Sequence, residues 1–149
     1  MEPDTPHPSD RPGSTAGRDD PIVLGADEGR SYDCGSMVAR FLVDGRETSD
    51  TYSVSEWTLA PGCRGVGAHR HEANDDVFYV AAGTVTFRVD GIDHVVGPGG
   101  FVRAAPGVEH DFRNDGDQPA VMLNLYVPGG FEDDMPGIVD WFAAHPERV

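Results

Sequence analysis

Three histidines and an aspartate carry the chemistry that this sequence offers. His69-Arg70-His71 sets two imidazoles two residues apart, Asp76 follows, and His110 closes the later run Pro106-Gly107-Val108-Glu109-His110. Successive side chains on an extended chain alternate faces, so His69 and His71 point the same way. Two same-face imidazoles are half of a metal site, and a carboxylate with a third histidine supplies the rest. Such a set accepts one divalent ion of Fe, Ni, Mn, Co, Cu or Zn. Three or four protein ligands leave positions open, where a substrate with adjacent oxygens could chelate and have its enolate stabilised by a Lewis acid. The same alternation turns Asp76 inward together with Phe78 and Val80, and turns Asp75 out. Glu72 and Glu109, each next to a site histidine, face away as surface charges. His7, His94 and His145 fall in a tail, a hairpin and the end of a helix, outside the ligand set.

Many short strands must position these residues. Met37 to Val43 and Thr51 to Leu59 are β-rich runs separated by Asp44-Gly45, which reads as a turn. Val77 to Ala82 ends at Gly83. Thr84 to Val89 carries Val85, Phe87 and Val89 on one face, and Asp90-Gly91 is a strong hairpin signal into Ile92 to Val96. Phe101 to Ala104, His110 to Arg113 and Ala120 to Val127 complete the set. Strands this short with Gly, Pro and Asp between them predict an all-β sandwich or barrel. The period then changes: Phe131, Met135, Ile138, Val139 and Phe142 recur at helical spacing, Glu132, Asp133 and Asp134 suit a helix N-terminus, and Pro136-Gly137 kinks or divides the element.

Composition excludes several function classes. The 149 residues hold 26 acidic and 11 basic side chains, a formal net charge of −15, so nucleic acid and anionic membranes are poor partners. Every one of the basic residues is arginine. Without lysine there is no internal Schiff-base nucleophile and no lysine-anchored cofactor. No apolar run is long enough to span a bilayer and the N-terminus lacks a signal pattern, so the expected location is the cytoplasm. Cys34 and Cys63 are too few for a disulfide framework and read as free thiols, Cys63 lying near the histidine pair in sequence. Residues 1–20 are rich in Pro, Asp, Ser and Gly and are expected to be disordered, leaving 21–149 as one domain.

The pattern resembles the cupin superfamily. His69-Arg70-His71, Asp76 and Gly83 look like the first cupin motif, a His-x-His pair followed by a carboxylate and a glycine. Gly99, Pro106-Gly107-Val108-Glu109-His110 and Asn114 resemble the second, with Ala105 standing where the strictest form has proline. The likeness covers roughly residues 22–142, and Val127-Pro128-Gly129-Gly130-Phe131-Glu132 resembles single-domain cupins grouped with quercetin-type dioxygenases. It implies a cupin-type double-stranded β-helix, a jelly-roll barrel, here with a short C-terminal helix. It implies His69, His71, Asp76 and His110 as metal ligands. The family usually has glutamate where this chain has Asp76. The shorter aspartate leaves direct ligation, ligation through water and a three-histidine site all open.

The resemblance also frames the expected chemistry. The pocket is expected at the barrel mouth, lined by Phe78, Val80, Phe112 and one face of the last strand. That face is either Met122, Asn124 and Tyr126 or Val121, Leu123 and Leu125; the all-apolar set is the better core candidate. Tyr52, Tyr79 and Tyr126 are acid/base candidates, and Arg40, Arg88 and Arg103 could bind a substrate carboxylate. The expected function is a metal-dependent enzyme acting on a small oxygen-rich, aromatic or enolisable metabolite, with dioxygenase chemistry first, Asp76 and Tyr126 as its catalytic groups. A redox-neutral cyclase or isomerase of polyketide-like secondary metabolism is the second reading, and a non-catalytic small-molecule-binding cupin the third. The family also implies a homodimer formed through edge strands, for which residues 36–43 are the candidate.

Overall fold

The computed structural model describes residues 20–148. The expected tail therefore lies outside the described residues, apart from Asp20. The strands are β1 (Arg30–Asp33), β2 (Met37–Val43), β3 (Ser53–Leu59), β4 (Asp75–Ala82), β5 (Val85–Val89), β6 (Ile92–Val96), β7 (Phe101–Ala104), β8 (His110–Arg113) and β9 (Ala120–Val127). They form a six-stranded sheet in the order β1-β2-β3-β9-β4-β7 and a three-stranded sheet in the order β6-β5-β8. Every ladder is antiparallel, and the two sheets make the expected all-β jelly-roll architecture. One helical turn, α1 (Gly45–Thr48), joins β2 to β3, and α2 (Met135–Ala144) follows β9 after a 3-10 turn at Phe131–Asp134.

Inward side chains of both sheets share one core. Phe41, Trp57, Leu59, Val80 and Met122 come from the large sheet, and Val85, Phe87 and Phe112 from the small one. Phe78 bridges them, its ring 5.2 Å from Phe87 and 5.8 Å from Phe112. Burial of each such side chain stabilises the fold by roughly 1.5–3 kcal/mol. The β5–β6 hairpin turns at Asp90 and Gly91, both in the left-handed region at φ 50° and 80°, as a two-residue turn of this kind demands. Gly83 is needed for a different reason. At φ 67° it lies so close to the 119–120 backbone that a Cβ would come within 2.4 Å of the Pro119 carbonyl oxygen.

Several expectations need correction. Residues 36–43 are not a free edge: β2 is flanked by β1 on one side and β3 on the other, and the sheet's edges are β1 and β7. Asp44-Gly45 opens α1 rather than a simple turn, because the Glu47 carboxylate accepts from the Asp44 backbone N–H at 2.9 Å and Glu47 N–H donates back to the Asp44 carbonyl. On β9 the all-apolar face points outward; Met122, Asn124 and Tyr126 are the buried set. Glu132 does not face water at a helix end. It is 1% exposed and meets the Arg30 guanidinium through both carboxylate oxygens, at 2.6 and 2.8 Å.

Candidate metal centre

His69 and His71 lie just before β4, outside any long ladder. Their extended conformation is held by a two-residue bridge instead. His69 N–H donates to the His110 carbonyl at 3.0 Å and His110 N–H returns to His69 at 2.8 Å, while Gly107 N–H donates to the His71 carbonyl at 2.9 Å. The alternation read from the sequence therefore survives in a segment that is not a regular strand. Asp76 enters from β4 in the large sheet and His110 from β8 in the small one.

One ligand atom from each of His69, His71, Asp76 and His110 falls within 4.8 Å of the other three. Asp76 Oδ2 lies 2.9 Å from His110 Nε2 and 3.3 Å from His71 Nε2. The Nδ1 atoms are engaged elsewhere: His69 with the Gly67 carbonyl at 2.8 Å, His110 with the Val108 carbonyl at 2.9 Å, and His71 with the Tyr126 hydroxyl at 3.2 Å. Each ring thus presents Nε2 inward, the arrangement in which outer hydrogen bonds fix the tautomer of a metal-ligating histidine. His71 Nε2 is buried with no hydrogen-bond partner. A buried nitrogen lone pair left without a donor is costly, and a cation at the centre of the four atoms satisfies it. The donor set therefore fits a divalent ion, and the shorter aspartate reaches the shared point.

The electrostatics agree with this geometry. Burial alone would raise the Asp76 carboxyl, but the hydrogen bond with His110, the nearby His71 ring and the hydrogen bond from Asn124 outweigh it and hold the group below its ordinary range. Burial dominates at His69 and pushes its imidazole down, toward the neutral form that binds metal. At His110 burial acts the same way, yet the Asp76 carboxylate and the Val108 carbonyl carry the ring above its usual value. Asn124 Nδ2 donates to Asp76 Oδ1 and, at 3.2 Å, to the Val77 carbonyl, so the carboxylate is clasped from the side away from the histidines.

Of the expected pocket residues, Phe78 and Asn124 border the four ligands. Phe78 stands 6.2 Å from the His110 ring. Register places Asn124 opposite Phe78 and Tyr126 opposite Asp76, but Met122 opposite Val80, one inward step deeper. Val80 and Met122 are 1% and 0% exposed and belong to the core floor, with Phe112 packed on Trp57 at 6.0 Å. Tyr52 and Tyr79 are exposed on the outside. Arg40, Arg88 and Arg103 are paired with Glu56, Asp93 and Asp75, away from the centre. Phe131 was not among the candidates. Its ring meets Tyr126 at 5.1 Å and His71 at 6.0 Å, closing one side of the site. Its helical spacing to Met135 marked it as a packing residue, and the Gly129-Gly130 turn that folds it back gives the only hint otherwise. Cys63 donates no ligand atom to the group; it is buried beside Ser36 Oγ at 3.4 Å.

Known proteins place this arrangement. The family model described as Cupin domain matches residues 55–126, and in sequence and fold the chain is similar to the cupin superfamily. It is 28% identical over 125 residues to quercetin 2,3-dioxygenase of Bacillus subtilis, across 84% of this chain and 36% of that protein. The chain thus spans about a third of the length of the curated relative it matches. Among solved structures it resembles KdgF from Halomonas sp. with a TM-score of 0.64 at 16% identity, covering 75% of this chain and 96% of the other. An RmlC-like cupin from Shewanella frigidimarina gives 0.63 at 18% identity, with 74% and 93% covered. These likenesses concern the fold. Within the described residues no helix is long and apolar enough to cross a membrane.

Proposed function

We propose that this chain is a metal-dependent cupin enzyme acting on a small, oxygen-rich, aromatic or enolisable metabolite by dioxygenase-type chemistry. The observation that carries the proposal is the convergence of His69, His71, Asp76 and His110 on one point with a partnerless nitrogen facing it. The name of the Bacillus relative supports the choice of reaction. A divalent ion held there supplies Lewis acidity to adjacent substrate oxygens and, where redox-active, electrons for reaction with dioxygen. The chain's own residues do the positioning. Three imidazoles and the Asp76 carboxylate hold the ion, and Asn124 fixes the carboxylate's orientation. Phe131 and Phe78 keep two sides of the site apolar. Tyr126, pushed up to about 12 by burial and then by the charges of Asp76 and Asp134, keeps its proton at neutral pH. Its hydroxyl is a proton donor beside the ligands.

The test uses protein free of any metal-binding tag. Elemental analysis should find about one divalent ion per chain, and His69→Ala, His71→Ala or His110→Ala should abolish it. Oxygen uptake with quercetin or a catechol is the expected result for the loaded protein. Turnover under strict anaerobiosis would replace this reading with the redox-neutral cyclase or isomerase. Wild-type protein that binds no added Fe, Ni or Zn would leave only a non-catalytic binding role.

A further inference from the structure

The segment that delivers His69 runs beside β8 without forming a regular strand. It is nevertheless fastened to β8 along its length. Asn114 N–H donates to the Cys63 carbonyl at 2.9 Å, and at the far end His69 exchanges its two backbone hydrogen bonds with His110. Between these anchors Gly65 lies so close that a Cβ would come within 1.8 Å of the Phe112 carbonyl oxygen. There a side chain makes the connection. Asp111 Oδ1 accepts from Gly67 N–H at 3.1 Å and from Phe112 N–H at 2.8 Å. A carboxylate thus stands in for the ladder acceptor that the irregular backbone does not supply.

Gly67 is also the residue on which the His69 ring leans. Its carbonyl meets His69 Nδ1 at 2.8 Å, and a carbonyl only accepts, so the ring proton sits on Nδ1. Nε2 is then bare. A proton on Nε2 instead would leave no lone pair there for an ion. The direction of the Gly67 carbonyl depends on its φ of 91°, a value that glycine adopts readily and leaves as readily. Nothing in Gly67 itself holds it there. Asp111 does, by fixing the N–H on the other side of the same Cα. Arg148 closes the loop from outside, its Nη2 donating to the Gly65 carbonyl at 3.3 Å. Asp111 is not among the gathered ligand atoms, and its neighbours His110 and Phe112 on β8 are the residues that turn inward.

We infer that Asp111 is a positioning residue: through Gly67 it selects the tautomer of His69 and so keeps Nε2 open to an ion. The inference rests on the proposed metal site for its purpose, but the tautomer is a property of the metal-free chain. His110 provides an internal comparison. Its Nδ1 meets the Val108 carbonyl at 2.9 Å, and Val108 is held by its own N–H on the Ala105 carbonyl at 3.1 Å. That turn has no need of the Asp111 side chain. Loss of the Asp111 carboxylate therefore acts on His69 and spares His110.

Two measurements on the full chain test this. Long-range proton–nitrogen spectra of metal-free protein at neutral pH read which ring nitrogen carries the proton, and calorimetric titration with Zn(II) reads affinity. Wild-type His69 should be protonated on Nδ1. Asp111→Ala should move a large share of His69 to the Nε2-protonated form and weaken Zn(II) binding by about 10–100-fold, while His110 keeps its Nδ1 proton. Asp111→Asn loses the charge but retains an oxygen acceptor, so it should match wild type in both readings. A His69 tautomer unmoved in Asp111→Ala, or an Asp111→Asn protein that behaves like Asp111→Ala, overturns the inference. Should Asp111→Ala not fold, wild type and Asp111→Asn decide, and His69 protonated on Nε2 in either overturns it. Wild type that binds no Zn(II) would count against the metal-dependent reading, and the tautomer would still decide the role of Asp111.

Discussion

Asp76 is one methylene shorter than the glutamate that the cupin resemblance leads one to expect, and its surroundings compensate. β4 carries it inward at 5% exposure, and the Asn124 amide holds Oδ1 so that Oδ2 faces His71 and His110. A shorter arm that is gripped loses less orientational freedom on binding than a longer one that swings. Asn124→Ala should therefore weaken binding of a divalent ion by about 10–100-fold, the usual scale for removing a hydrogen bond that orients a ligand. Calorimetric titration of the metal-free protein measures this without any substrate. Unchanged affinity would show that Asp76 needs no such grip.

At the scale of elements, the 3-10 turn that brings Phe131 to the site is fastened by charge. Arg30 from β1 holds Glu132 through two nitrogens and Glu47 of α1 through a third at 2.6 Å, while the Tyr32 hydroxyl donates to Glu132 at 2.8 Å. Arg30→Ala leaves two buried carboxylates short of their cation. It should cost up to about 3 kcal/mol in urea unfolding, less than for a fully enclosed pair because the arginine is partly exposed. Tyr32 makes the clasp pH-dependent. Burial first, then its bond to Glu132, raises its hydroxyl from 10.0 to about 12. The native state keeps the proton longer than the unfolded chain, so this contribution is whole below pH 10 and is lost as pH rises through about 12. The stability advantage of wild type over Tyr32→Phe should shrink across that interval; a constant difference would mean that the hydroxyl contributes nothing through Glu132.

The same elements show which parts of the fold were legible. Strands β4, β5 and β9 are apolar-rich runs that end near Gly, Pro or Asp, and their limits follow from local chemistry. β1, Arg-Ser-Tyr-Asp, has no apolar period; it is a strand because Arg30 and Tyr32 have buried charge to satisfy, a distant partner that no local pattern reports. β9 misleads for a related reason. Its polar Asn124 and Tyr126 turn inward to serve Asp76 and His71, and its aliphatic face is left outside. The convergence of His69, His71, Asp76 and His110 was readable because residue type, parity and spacing are local. Phe131 was not, because its approach to His71 depends on how the chain returns after β9.

On the scale of the whole molecule, the ligand set ties separate parts of the barrel together. Asp76 belongs to the large sheet, His110 to the small one, and His69 and His71 to the segment that bridges them. An ion held by all four binds only the folded chain. At a thousandfold excess over its dissociation constant it should add about 4 kcal/mol and raise the melting temperature by roughly 8–16 °C. Chelation should reverse the shift, and an unmoved midpoint with demonstrated binding would mean that the ligands stay gathered after unfolding. One further consequence follows from the rings of Phe78, Phe87 and Phe112, packed at a tilt between the two sheets. They act as a spacer that sets how far Asp76 stands from His110, and hence the bite of the ligand set. If the proposed site holds an ion, the radius it prefers should thus be decided partly by hydrocarbon that never touches that ion.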